Sequence, residues 1–256
     1  MLGEAARTFA DGERYFASYL DAIEQTGAGH SISVKLSALH PRYEVAHWDR
    51  CVPMLCELLE TLCLAAARRG IALTVDAEES ERLEMSLEIL STVARLPALK
   101  DWDGFGMAAQ AYSKRAPAVI QWADALGRDT SRRMTVRLVK GAYWDAEIKR
   151  AQEAGLADFP VYTRKVHTDL AYQACAAKLL AARDAVAYWS APVVHAYEPR
   201  MQEADEFQAQ LRRTFGLRPA DLKVLALSHG HLDHAGAVAV WRDFGITACA
   251  AGNAGA

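Results

Sequence analysis

The chain has 256 residues, a net charge of −3 and 52% hydrophobic content, enough to bury a substantial core in one large domain or two smaller ones. Near-neutral charge without a long basic run excludes an electrostatic footprint for nucleic acid. No apolar run approaches membrane-spanning length, and Met1 leads into charged sequence rather than a signal peptide, so the expected location is the cytoplasm. Cys51, Cys56, Cys63, Cys175 and Cys249 form no C-x-x-C pair and are expected to be reduced and packed in the interior.

Glu4 to Gln25 has the periodicity of an amphipathic helix, with Phe9, Tyr15, Phe16, Tyr19, Leu20 and Ile23 as its apolar members. The β-branched run SISVKLS, Ser31 to Ser37, predicts a strand that carries Lys35 close to its end. A helix is expected from about Asp49 to Arg69, closed by Gly70. The apolar strand IALTVD, Ile71 to Asp76, ends on a carboxylate. The pair Glu78-Glu79 then leads into a helix over Ser80 to Arg95. Small residues from Gly104 predict a third strand that ends in Gln110, followed by a helix from about Ser113 to Leu126 with Pro117 in its first turn.

The fourth strand lies in RRMTVRLVKGAYWDAEIKRAQ, Arg132 to Gln152. Arg137 stands inside the apolar run, where burial is costly unless something anionic or hydrogen-bonding meets it. Gly141, where strand gives way to helix, lets the backbone come close to a ligand. Pro160 then breaks the chain, and a long helix is expected over about Val161 to Arg183.

Apolar strands alternating with helices argue for an α/β fold of parallel β/α units. Each of the four strands carries a polar residue near its C-terminal end: Lys35, Asp76, Gln110, and Arg137 with Lys140. Active sites of (β/α)8 barrels are built at that end. Chance capping explains one such residue; four in succession point to a site.

The segments VKLSALHPRYE, LTVDAEESERLEMSLEIL, QAYSKRAP, RLVKGAYWDAEIKRAQ and PVYTRKVHTDLAYQACAAKLLAARD closely resemble the catalytic domain of the proline dehydrogenase family, in the form carried by bifunctional PutA flavoenzymes. The resemblance covers Met1 to about Val186. It implies the (β/α)8 TIM-barrel fold, of which only the first four β/α units are evident. It also implies bound FAD, oxidation of L-proline to 1-pyrroline-5-carboxylate in proline catabolism, and electrons passed to a quinone-type acceptor.

By motif, the family implies that Lys35, Asp76 and Tyr143 approach the substrate. Likewise Gln110, Arg137, Val139, Lys140, Gly141, Trp144, Thr163 and Lys165 are implied to line the flavin. Physically, Arg137 suits negative charge on a reduced flavin and Lys140 suits a carbonyl or phosphate oxygen. Asp76 suits organising Lys35 or the substrate ammonium, and the plain alternative is a salt bridge within the barrel mouth.

Beyond Val186 the family's Thr-His-Asn flavin-contacting motif is replaced by Ala187 to Tyr197, and its helix of paired arginines is missing. Arg212-Arg213 stands in unmatched sequence. Instead, Leu222 to Leu227 reads as a buried strand, followed by His229, His231, Asp233 and His234 in an H-x-H-x-D-H pattern. This resembles the metal-binding motif of the metallo-β-lactamase superfamily and implies Zn2+ ligands. No histidine follows His234 to complete such a site.

Two regions are therefore expected. Residues 1–186 form a partial proline dehydrogenase barrel, and residues 187–256 form a metallo-β-lactamase-like fragment joined as in a chimera. Turnover is expected to be impaired by truncation. The alternatives are a zinc-dependent hydrolase or a non-catalytic chimeric fragment. Half a barrel leaves open edges, which either the strand around Leu222 to Leu227 or a homo-oligomer of paired half-barrels would repair.

Overall fold

The computed structural model describes residues 3–182, 185–190, 224–227 and 247–250. His229, His231, Asp233 and His234 lie outside these residues. The chain divides into two compact units, residues 1–189 and 190–256.

In the first unit, helices α1 (Phe9–Gln25), α2 (Leu36–Leu39), α3 (Trp48–Arg69), α4 (Leu83–Ala94), α5 (Ala116–Thr130), α6 (Trp144–Glu153) and α7 (Lys165–Ala181) alternate with strands. The strands are β1 (Ser31–Val34), β2 (Ala72–Val75), β3 (Phe105–Gln110), β4 (Met134–Val139) and β5 (Val186–Ser190). They form one sheet in the order β1-β2-β3-β4-β5, and β1 to β4 pair in parallel. This is the expected partial barrel of α/β class, with a fifth strand beside the fourth.

Register explains both faces of the sheet. Ile32, Leu73, Phe105 and Met134 form one row and Val34, Val75, Met107 and Val136 another, all buried beneath the helices. Each such side chain contributes about 1.5–3 kcal/mol relative to exposure. On β4 the alternation is strict: Met134, Val136 and Leu138 are buried, whereas Thr135, Arg137 and Val139 on the opposite face are partly open. A strand has period two, so one arginine per turn of the pleat fits the inner face without disturbing the outer core.

Several boundaries differ from expectation for local reasons. Helix α1 starts at Phe9 because Thr8 and Asp11 form a reciprocal capping box, with the Asp11 amide donating to Thr8 Oγ1 at 3.1 Å. The segment before it instead binds the β1–α2 turn, Ala6 N donating to Ser37 O at 2.8 Å. Strand β1 stops at Val34, since Ser37 N donates to Glu78 Oε1 at 3.0 Å and the chain closes into α2.

Helix α3 ends as expected at Gly70, whose φ of +66° is the left-handed C-terminal stop. Helix α4 is entered through a 3-10 turn, Ser80–Arg82. Helix α7 begins at Lys165 rather than Val161. Residues before it are held against the β3–α5 connection, with Lys114 N donating to Pro160 O at 3.0 Å and Tyr162 N to Tyr112 O at 2.8 Å.

Cys51, Cys63 and Cys175 are buried free thiols and Cys56 is half-buried, as expected of packed cysteines. Burial pushes the Cys175 thiol up to about 11, so it stays protonated and inert. Among the described residues no helix is long and apolar enough to cross a membrane.

In the second unit, β6 (Val224–Leu227) pairs in parallel with β7 (Thr247–Ala250), from Val224 opposite Thr247 to Leu227 opposite Ala250. The strand expected at Leu222 to Leu227 exists, but its sheet is a separate two-stranded one. A continuous apolar run such as VLAL suits parallel pairing, where both faces tend to be covered.

Candidate active site at the carboxyl ends of the strands

Val34, Val75, Met107 and Val136 stand level across β1 to β4. The next residue on each strand path is Lys35, Asp76, Ala108 and Arg137, which therefore form one row on the opposite, inner face. The small side chain of Ala108 leaves the space through which Arg137 on β4 reaches Asp76 after β2. A guanidinium nitrogen of Arg137 pairs with Asp76 Oδ1, and its other terminal nitrogen donates to Ser33 Oγ on β1 at 2.7 Å.

Across a flat sheet, three strand spacings of about 4.8 Å each exceed the reach of an arginine. The contact requires a curled, barrel-like inner face. The burial cost of Arg137 is met by Asp76, and both side chains remain about one-fifth exposed at the mouth.

Lys35 takes a different partner from the Asp76 considered from sequence. Its ammonium pairs with Glu4 Oε1 and stands 5.8 Å from the centre of the Tyr143 ring. Burial opposes its charged form, but the hydrogen bonds to Glu4 and Tyr143 prevail and push its pKa up to about 12. Lys35 is thus a permanent cation beside an aromatic wall. Burial also raises the Tyr143 phenol pKa, against the opposing effect of Lys35, which keeps the phenol neutral. Lys35, Asp76 and Tyr143 thus share the mouth through two separate pairings.

Gln110, at the end of β3, uses both ends of its amide. Nε2 donates to Glu78 O at 2.9 Å, while Oε1 accepts from Ala142 N at 3.0 Å. Val139 closes β4, and its carbonyl accepts from Ala111 N at 2.8 Å. Gly141 has φ +140°, and a Cβ there would lie 2.4 Å from the Tyr112 ring. Only glycine permits this backbone and this approach. Trp144 is 42% exposed, with Nε1 donating to Tyr162 O at 2.9 Å.

Lys140 and Lys165 converge on one carboxylate, at 2.6 Å from Asp169 Oδ1 and 2.7 Å from Asp169 Oδ2. Burial raises the Asp169 pKa, but the hydrogen bonds and charges of the two lysines together outweigh it and hold the carboxyl below its ordinary range. These lysines flank the N-terminus of α7, which has no side-chain cap. Helix N-termini with free amides and nearby cations are suited to phosphate. Thr163 is exposed just before that terminus.

Ser33, Glu4, Glu78 and Asp169 were not singled out as site residues from sequence. Ser33 lies two residues before Lys35 and so shares its face, a signal available in the strand pattern. Asp169 follows Lys165 by four residues on a helix, another readable spacing. Glu4 required a long-range fold contact. Glu78 lies beneath the loop, bonded to Ser37 N and 3.1 Å from Arg82. Burial raises its pKa against the opposing effects of Ser37 and Arg82.

The family model for proline dehydrogenase matches residues 1–195, and that for the metallo-β-lactamase superfamily matches residues 176–248. The bifunctional protein PutA of Escherichia coli K12 is 51% identical over 190 residues, which is 71% of this chain and 14% of that protein. The PutA of Rhizobium meliloti is 50% identical over 173 residues, 64% of this chain and 14% of that protein. A solved structure of proline utilization A with proline bound in remote sites superposes with TM-score 0.83 at 43% identity, covering 98% of this chain and 25% of that one. The chain thus spans 14% of the length of these curated relatives.

Proposed function

Because the chain belongs to the proline dehydrogenase family, we propose that the inner mouth of its sheet binds FAD and L-proline for oxidation to 1-pyrroline-5-carboxylate. The observation that carries this reading is the row Lys35, Asp76, Ala108 and Arg137 at the carboxyl ends of parallel strands. The likeness to PutA proteins at about half identity supports the same chemistry.

The donor set fits a flavin dinucleotide. Lys140, Lys165 and the uncapped start of α7 suit its diphosphate. Gly141 keeps the backbone low enough for a flat ring system, with the Val139 carbonyl and the Gln110 amide bordering it. Trp144 and Thr163 offer an exposed aromatic face and a hydroxyl farther out. When bound, FAD supplies the acceptor for the hydride lost by proline.

The chain's own residues then orient and polarise. The Lys35 ammonium binds the substrate carboxylate in place of Glu4. Tyr143 walls the substrate ring and excludes water. Arg137, fixed by Asp76 and Ser33, would hold its positive charge toward the flavin ring. Electrons leave to a quinone-type acceptor.

The family match ends at residue 195, inside the chain, and no Thr-His-Asn motif follows it. We place the boundary between the two family regions near residues 186–194, and infer that flavin and proline binding outlast efficient turnover. The test is flavin content of the purified chain together with proline-dependent dye reduction. Bound flavin that proline bleaches supports the reading; a colourless protein that takes up no added FAD refutes it.

A second reading concerns residues 176–248, where the metallo-β-lactamase match supports weak zinc coordination by His229 and His231, with Asp233 and His234 as further ligands. Stoichiometric zinc in the purified chain, lost on changing His229 and His231 to Ala, is the supporting result. Zinc at background level refutes it.

A further inference from the structure

Glu147 is a carboxylate on α6 that the proposed chemistry leaves unused, yet only 3% of it is exposed. Its Oε1 accepts the backbone N–H of Ser80 at 2.6 Å, at the first residue of the 3-10 turn that opens into α4. Its own amide donates to Tyr143 O at 2.9 Å. From Ser80 the chain runs back two residues to Glu78, whose carbonyl accepts from Gln110 Nε2 at 2.9 Å. Gln110 Oε1 accepts from Ala142 N at 3.0 Å, which leads directly to Tyr143. These bonds close a ring through the loop after β2, the end of β3 and the loop after β4. Arg150, one turn further along α6, adds a 2.8 Å ion pair to Glu81 outside the ring.

We propose that Glu147 is a positioning residue that closes a hydrogen-bonded ring through Ser80, Glu78, Gln110 and Ala142, and thereby holds the two loops of the flavin and proline mouth in register. Its role toward ligands rests on the function proposed above; the ring itself does not. A buried carboxylate is retained at a cost unless donors meet it, and here it receives an orphan amide at a helix start, where negative charge is favoured. Without that bond, the loops bearing Asp76 and Tyr143 would keep the Gln110 amide and the part-exposed Arg150–Glu81 and Arg137–Asp76 pairs as their ties.

The test uses the full-length chain with three substitutions. Glu147→Ala removes the acceptor and Glu147→Gln retains an acceptor oxygen. Ser80→Pro removes only the donor, since Glu79 at φ −63° and ψ 153° already has the backbone that precedes proline. Amide exchange in residues 77–81 and 141–146 should quicken about tenfold in Glu147→Ala and in Ser80→Pro, the loss of one hydrogen bond to a charged group. Exchange in α3 should stay at the wild-type rate, and Glu147→Gln, which keeps the acceptor but loses its charge, should quicken loop exchange less than Glu147→Ala. The double variant should be no worse than either single one. FAD affinity should weaken in parallel, with KM for proline rising more than kcat falls.

Unchanged loop exchange, additive effects of Ser80→Pro and Glu147→Ala, or a Glu147→Gln variant as disturbed as Glu147→Ala would each overturn the proposal. A wild-type chain that takes up no FAD would remove the proposed function, while the exchange result would still decide the ring.

Discussion

Arg137 on β4 and Asp76 after β2 form an ion pair across the intervening strand, over the small side chain of Ala108. The pair fixes the guanidinium in the mouth and gives Asp76 a role distinct from holding Lys35. Changing Asp76 to Ala leaves a part-buried cation with Ser33 as its remaining partner. The expected cost is about 1–3 kcal/mol, from the unpaired group rather than from the lost attraction alone. Urea unfolding of Asp76→Ala and wild type measures it, and Asp76→Ala with Arg137→Met together should recover part of the loss.

Lys35 gives a prediction in alkaline solution. Its folded pKa of about 12 lies above the unfolded value of roughly 10.4. The stabilisation from its partners is therefore fully present below that unfolded value and is lost as pH rises through the folded one. Replacing Glu4 with Gln removes the ion-pair partner and should lower stability at neutral pH, the gap from wild type shrinking as pH rises through the folded value. Urea unfolding of the two proteins at neutral and at alkaline pH checks this.

Glu78 behaves oppositely to the usual surface carboxylate. Burial raises its folded pKa above the unfolded value, despite the hydrogen bonds from Ser37 and the charge of Arg82. The folded state therefore binds the proton more tightly, and this residue lowers stability as pH rises between its unfolded and folded values. Glu78→Gln, which keeps an acceptor for Ser37 N, should flatten that part of the pH–stability curve. Thermal midpoints across the mildly acidic range provide the measurement.

Much of this arrangement was legible in the chain. Strand periodicity locates β1 to β4, and the polar residue near each strand's end picks out Lys35, Asp76, Gln110 and Arg137. Segment resemblance points to the ligand class proposed for the mouth. Pairings across long sequence distances were not legible, because period-two patterns assign a face but not a neighbour. Hence the partners of Asp76 and Lys35 emerged only from register and from the approach of Glu4. The late start of α7 followed from contacts of residues 160–162 with the β3–α5 connection, which override helical periodicity before Lys165.

Gly141 offers a backbone test. At φ +140°, with the Tyr112 ring in the path of any Cβ, Gly141→Ala should cost about 1–3 kcal/mol and weaken flavin binding. Denaturant unfolding and flavin titration of the variant should move together.

The most direct test of the central claim is the flavin content of the full-length chain beside its Arg137→Ala variant, measured by absorbance after saturation with FAD and removal of excess. Flavin retained by wild type and largely lost from Arg137→Ala is the predicted result. Equal flavin occupancy in the two proteins, or none in wild type, would contradict the assignment of this mouth as the flavin site.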